Sequence, residues 1–139
     1  MAEFDIVIHG GRVIDGTGNP WFHGDVAIKN GKIASIGKIP PEQGARAISA
    51  QGYVVTPGYI DMHTHSDQPI VADGNAESKI RQGVTLDIIG ESQTVAPLQG
   101  AILEEYRAEH RKRNGIETDW QTFTGYFNTV MRGGISLNV

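Results

Sequence analysis

Two histidines separated by one residue are the feature of this sequence most able to carry chemistry. His63 and His65 lie in the segment DMHTHSD, residues 61–67, after a short apolar run. Because residues two apart in a strand point to the same side, Asp61, His63 and His65 are expected to share a face, and Asp67 to continue the row. Two adjacent imidazoles can bind one divalent metal ion, and a carboxylate nearby can fix an imidazole tautomer. The alternative is a pair of partly exposed histidines without a ligand, although the flanking aspartates favour the metal site.

A carboxylate at the end of the next predicted strand is the second candidate. Glu91 follows Gly90 directly after the apolar segment 84–89. If this strand is a parallel neighbour of the strand before His63, both strands end on the same edge, which is where α/β barrels place their active sites. Glu91 would then lie beside the two histidines. Without an argument from the fold, a solvent-exposed loop glutamate or a helper in helix capping is the simpler interpretation.

Other reactive or charged groups lack the partners that their chemistry needs. Ser92 and Ser136 have no general base in a suitable arrangement, so a serine nucleophile is not indicated. The glycines of segment 16–18 precede Asn-Pro-Trp and no helix, unlike a phosphate-binding loop. The basic triplet 111–113 ends a predicted helix and complements the helix dipole there, which favours a solvated face over nucleic-acid binding. The remaining histidines are interpreted as structural or surface residues: His9, His23 and His110.

The N-terminal part of the chain, residues 1–57, is predicted to be a small antiparallel β unit. Asn30-Gly31 lies between two segments of alternating polar and apolar residues, which is the strongest short-range signal of a hairpin because both turn positions need positive φ. A turn is expected at residues 9–12. The predicted strands cover residues 4–8, 13–14, 25–29, 32–36, 47–48 and 53–55.

From residue 58 onwards, strands alternate with helices. The predicted strands are 59–63, 84–89 and 135–139, and the predicted helices are 76–82, 99–114 and 120–131. Gly115 suits the C-terminal end of the second helix, and Thr118 or Asp119 could cap the third. One side of helix 99–114 carries Ile102, Leu103, Tyr106 and His110. This alternation predicts parallel strands with crossover helices, an α/β fold that stops at its third strand with open edges.

Composition excludes several classes of protein. The 139 residues are 39% hydrophobic and 20% charged, as in ordinary globular proteins. The net charge of −4 and the absence of a basic cluster argue against nucleic acid or an anionic membrane as partner. No apolar run reaches the roughly 20 residues of a membrane span. The chain has no cysteine and no apolar leader at its start, which fits a cytoplasmic protein without disulfides.

With these motifs identified, the sequence resembles the amidohydrolase superfamily, and within it the D-aminoacylase group of N-acyl-D-amino-acid deacylases. The segment VTPGYIDMHTH resembles the first barrel strand of that family, and IRQGVT with GES resembles the second. The His-x-His element is specific to the superfamily, while the later segments point to this group. The matching segments are residues 5–18, 30–33, 55–65, 80–85, 90–92, 96–98 and 118–120.

The resemblance implies a (β/α)8 barrel beside a β-sandwich. Residues 1–57 would be part of the sandwich, and residues 58–139 the first β/α units of a truncated barrel. It also implies a zinc site of one or two ions, with His63 and His65 as ligands. Glu91 occupies a position that is often cysteine in such deacylases. Asp61 and Asp67 would orient the metal ligands without binding the metal, or would contact the substrate. Asp67 stands where dihydroorotases carry a substrate-binding arginine, which counts against that branch of the superfamily.

The activity implied by the resemblance is metal-assisted hydrolysis of a small-molecule amide, an N-acyl-D-amino acid. The general acid/base aspartate and two further histidines of the family would lie beyond Val139, since a complete barrel needs about 250 residues. This chain alone is therefore expected to be inactive and to associate with the remainder of the enzyme or with its own copies. Two alternatives stay open, namely a hydrolase of cyclic amides such as hydantoins, and a non-catalytic metal-binding or assembly module.

Overall fold

The structure, a computed structural model, describes residues 2–91 and 94–139. The described chain forms two compact units, Met1–Pro57 and Gly58–Val139. Ser92 lies outside the described residues, so the absence of a general base beside it stays a prediction. Among the described residues, none of the helices has the length and apolar character that crossing a bilayer requires.

The first unit is a five-stranded sheet. Its strands are β1 (Phe4–Val13), β2 (Phe22–Lys29), β3 (Lys32–Gly37), β4 (Gly44–Ser49) and β5 (Val54–Val55), with a 3-10 turn at Pro41–Gln43. The strand order is β3-β2-β1-β4, and β5 also pairs with β1. The hairpin at Asn30-Gly31 is confirmed, because these residues have φ of 53° and 71° between antiparallel β2 and β3.

Two predictions for this unit are wrong. The sheet is mixed rather than antiparallel throughout, because β4 and β5 run parallel to β1. The turn expected at residues 9–12 is a bulge inside one continuous strand, with the register shift between Ile8 and Gly11. Gly10 adopts a φ of +75° in this bulge, and its N–H donates to Asp25 at 2.8 Å. The extra bend thus satisfies its backbone through a side chain of the neighbouring strand.

The second unit begins with two parallel strands and ends with two longer helices. Its elements are β6 (Tyr59–Asp61), α1 (Pro69–Ala72), α2 (Glu77–Ile80), β7 (Val84–Asp87), α3 (Gly100–Asn114) and α4 (Phe123–Gly133). The parallel pairing of β6 with β7 is confirmed, and it places Asp61 opposite Asp87. The strand predicted over residues 135–139 is reduced to one parallel bridge between Leu86 and Asn138.

Several boundaries differ from those expected. Strand β6 ends at Asp61 rather than residue 63, and β7 ends at Asp87 rather than residue 89. Helix α4 begins at Phe123 rather than residue 120, and its N-cap is Thr122, whose hydroxyl accepts the Gly125 N–H at 3.1 Å. The predicted caps are wrong because the chain before Thr122 packs into the core.

An aromatic core supports this second unit. The Trp120 ring lies 5.5 Å from the Tyr126 ring and 5.8 Å from the His110 ring, measured between centroids. The indole N–H donates to the Val95 carbonyl at 3.0 Å. Helix α3 buries Leu103, Tyr106 and His110 as expected, whereas Ile102 is 65% exposed, contrary to the predicted face. The buried hydrophobic cluster consists of Ile70, Val95, Leu98, Leu103, Tyr106, Trp120, Tyr126 and Val130.

We expect Gly58→Ala to destabilise the second unit. A Cβ at position 58 would overlap the Thr85 side chain of β7, whose own Cβ would be only 2.7 Å away. Overpacking of this kind costs about 1–3 kcal/mol, measurable as the free energy of unfolding in urea.

Gly133→Ala is the matched control, because an added Cβ there meets nothing within 4 Å. Alanine is the better helix former by up to about 1 kcal/mol, so this variant should be neutral or more stable. Equal stability of the two variants would contradict the close approach at Gly58.

We also expect His110 to make the stability of the chain depend on pH. Burial lowers the pKa of His110, although nearby Glu109 opposes this. The unfolded chain therefore takes up the proton more readily, so this contribution to stability is full above about pH 6.5 and is lost as the pH falls. The free energy of unfolding should drop less steeply from about pH 7.5 to about pH 5.0 in His110→Gln than in the wild type. Parallel curves would contradict the expectation.

Candidate metal centre

The two histidines lie in the loop that follows β6. The Asp61 side chain accepts the His63 backbone N–H at 3.1 Å, and this local turn ends the strand two residues earlier than predicted. Side chains still alternate between exposed and buried over residues 63–66. His63 and His65 are exposed, whereas Thr64 and Ser66 are 7% and 9% exposed. The two imidazoles thus share one side of the segment, although the segment is not a regular strand.

Glu91 brings a carboxylate to these imidazoles. Its Oε2 lies 3.0 Å from His65 Nε2 and 3.6 Å from His63 Nε2. One potential ligand atom from each of the three residues lies within 4.8 Å of the others. The parallel pairing of β6 and β7 places the segments that follow them on the same edge, as the sequence predicted. Gly90, with a φ of +90°, provides the turn between β7 and Glu91.

The donor set fits a divalent metal such as zinc. Donors bound to one tetrahedral zinc ion lie about 3.3 Å apart, a value between the two N–O distances given above. Two imidazole nitrogens and one carboxylate oxygen, with a fourth position open to water, form a ligand set that catalytic zinc sites use. The imidazole rings are 5.9 Å apart and nearly perpendicular, and both Nε2 atoms lie within 3.6 Å of the same Glu91 oxygen. The side chains of His63, His65 and Glu91 are 76%, 63% and 43% exposed, which leaves the site open on one side.

A lysine that no motif marks in the sequence lies behind this site. Lys79 of α2 donates to Asp61 Oδ2 at 2.5 Å and to the Thr64 hydroxyl at 2.8 Å, and its Nζ is 3.8 Å from Asp87 Oδ2. Ser66 donates to the same Asp87 oxygen at 2.5 Å. The sequence contains one hint of this group. Both parallel strands end in aspartate, and two adjacent carboxylates need a cation when one of them is buried.

The aspartates on either side of the histidines have different environments. Asp61 faces Lys79 rather than an imidazole, and the hydrogen bond from Lys79, together with that from the His63 amide, lowers its pKa. Asp67 is 8% exposed, and burial raises the pKa of its carboxyl. The Asp67 carbonyl accepts a hydrogen bond from the Tyr126 hydroxyl at 2.7 Å. This bond ties the end of the metal loop, residues 62–66 with the adjoining Asp67, to α4. Burial also raises the pKa of Tyr126.

Comparison with characterised proteins identifies relatives of known activity. No protein-family model matches the chain. The N-acyl-D-glutamate deacylase of Alcaligenes xylosoxydans xylosoxydans is 41% identical over 103 residues, which are 72% of this chain and 21% of that protein. An adenine deaminase of Listeria monocytogenes is 35% identical over 119 residues, 85% of this chain and 20% of that protein. The chain thus spans about a fifth of the length of these relatives.

Solved structures of deacylases share the fold. The N-acyl-D-glutamate deacylase from Bordetella bronchiseptica, complexed with zinc and a phosphonate inhibitor, matches 99% of this chain and 28% of its own, with a TM-score of 0.76 and 29% identity. A D-aminoacylase described as defining a novel subset of amidohydrolases matches 73% of this chain and 22% of its own, with a TM-score of 0.65 and 38% identity. The fold expected from the sequence, a β unit followed by the start of an α/β barrel, is confirmed by these neighbours.

We expect Tyr126→Phe to loosen the end of the metal loop. The substitution removes the only hydroxyl in that side chain and leaves the Asp67 carbonyl without this donor, at a cost of about 1–3 kcal/mol in the free energy of unfolding. Tyr59→Phe is the control, because the Tyr59 side chain is 55% exposed. If both variants unfold at the same urea concentration, the bond between Tyr126 and the loop contributes nothing measurable.

Proposed function

Because this chain is homologous to part of the D-aminoacylase group of the amidohydrolase superfamily, we propose that it supplies the first metal-binding segment of an N-acyl-D-amino-acid deacylase. The cluster of His63, His65 and Glu91 at the ends of two parallel strands is the observation that supports this most directly. In this proposal, residues 1–57 are part of a β-sandwich and residues 58–139 begin the (β/α)8 barrel. The partner of this segment is the remainder of the enzyme, which completes the barrel, or a further copy of the chain.

Each residue of the centre has a proposed role. His63 and His65 would hold zinc through their imidazoles, and Glu91 would add the negative charge that partly neutralises the dication. A carboxylate has two oxygens, so Glu91 also suits a site with two ions. Zinc held by these residues supplies Lewis-acid activation of water and of the amide carbonyl.

The two aspartates are proposed to position the ligands rather than to transfer protons. Asp61 is engaged by Lys79 and by the His63 amide, and the Asp67 side chain is buried. Neither carboxylate is therefore assigned as the general acid/base. We assign that step to the part of the enzyme that corresponds to the other four-fifths of the relatives.

Hydrolytic deamination is a second candidate. The similarity to an adenine deaminase covers 85% of this chain, more than the 72% covered by the deacylase relative, at lower identity. Both reactions hydrolyse a carbon–nitrogen bond, and the same metal ligands would serve either one. Release of ammonia from adenine, measured beside release of D-glutamate from its N-acetyl derivative, distinguishes the two activities in the complete protein.

We expect His63→Ala, His65→Ala and Glu91→Gln to lose zinc and activity together. Each alanine variant removes an imidazole ligand, and Glu91→Gln removes the negative charge of the carboxylate ligand. Zinc affinity should therefore fall by more than the roughly 10–100-fold that loss of an outer-shell partner costs. Zinc content is measured by elemental analysis, and hydrolysis of N-acetyl-D-amino acids is measured on the complete protein.

His23→Ala is the matched control, because His23 is exposed and lies in the other unit. Normal zinc stoichiometry in all three ligand variants would refute the assignment. Tight zinc binding by a complete protein that hydrolyses neither amides nor adenine would support a non-catalytic metal-binding module instead.

A further inference from the structure

The group behind the metal ligands links three separate segments of the chain. The Lys79 ammonium reaches Asp61 at the end of β6, Thr64 in the metal loop and Asp87 at the end of β7. Ser66 joins the group through Asp87. Thr64 and Ser66 are the side chains that face inwards from the loop, whereas His63 and His65 face outwards. A single cation on α2 therefore connects both strand ends to the segment that carries the histidines.

Burial makes these contacts stronger than surface ion pairs. The side chains of Lys79, Asp61 and Asp87 are 21%, 28% and 0% exposed. Charges in such a setting are poorly screened by solvent and salt, so their mutual geometry is held firmly. Exposed pairs on the same unit, such as Arg81 with Glu77 at 74% and 60% exposure, lack this constraint.

The contacts fix the loop on both sides of His65. Thr64 precedes His65 and is held by Lys79, while Ser66 follows it and is held by Asp87. His63 is held through its backbone amide by Asp61, which Lys79 in turn orients. Each ligand imidazole thus lies beside hydrogen-bonded groups of the same network, which restrict the backbone that carries it.

We propose that Lys79 is a positioning residue that holds the loop of residues 62–66 in the conformation that presents His63 and His65 to Glu91. This inference rests on the proposed metal centre and adds a residue that acts on the ligands without touching the metal. Preorganised ligands bind a metal more tightly because less conformational freedom is lost on binding. Outer-shell partners of metal ligands commonly change metal affinity 10–100-fold.

The test compares zinc dissociation constants of the complete protein and its variants, all folded, by competition with a chromophoric chelator. Lys79→Met should weaken zinc binding by about 10–100-fold, and Lys79→Arg should recover part of that loss. Arg81→Met removes a neighbouring exposed cation and should bind zinc like the wild type. Cobalt(II) in place of zinc gives a second readout, because a displaced imidazole changes the visible spectrum of the bound ion.

Two milder variants keep the test informative if Lys79→Met does not fold. Thr64→Val and Ser66→Ala each remove one contact with the loop and leave all charges in place, and each should weaken zinc binding. If the wild type binds zinc and all these variants bind it equally well, Lys79 does not position the ligands and the metal centre stands alone. If the complete wild-type protein itself binds no zinc, the metal centre and the positioning role are both wrong.

Discussion

The parallel pairing of two short strands determines where the polar groups of the metal centre lie. Asp61 pairs with Asp87, so both strands present a carboxylate at the same level. A buried carboxylate beside another is costly unless a cation compensates both, and Lys79 is that cation. The loop after Asp61 then contributes its hydroxyls to the same group, which leaves its imidazoles facing out. The arrangement of the ligands thus follows from a requirement for charge compensation beneath them.

The grouping of the candidate metal ligands could be predicted from sequence because its signal is local. A spacing of two positions places His63 and His65 on one side of any extended segment, and this holds although β6 ends at Asp61. Glu91 needed one more assumption, the parallel pairing of two strands, which the alternation of strands and helices supported. Lys79 could not be predicted in this way, because its partners Asp87, Thr64 and Asp61 are 8, 15 and 18 positions away along the chain. Its role depends on how α2 packs, which no pattern within the helix encodes.

The errors in the fold have related causes. Residues 118–120 have the composition of a helix start, but burial of Trp120 among aromatic rings outweighs the local capping preference and delays α4 to Phe123. Pairing direction was misjudged for β4 and β5, because alternating patterns define a strand and its buried face without giving its direction relative to a partner. The turn at residues 9–12 was inferred from two glycines that instead form a bulge. Local preferences are weak terms, and tertiary packing decided each of these cases.

The alternation of exposed and buried side chains along residues 63–66 limits how the length of this loop can change. His63 and His65 face outwards while Thr64 and Ser66 face the Lys79 group. Inserting or deleting one residue within the segment would exchange the two sets, burying an imidazole and exposing a hydroxyl. Substitutions that preserve polarity keep the histidines facing outwards. A change of one residue in length would turn them inwards. The number of residues in this segment is therefore a constraint separate from the identity of Thr64, the one residue between the histidines.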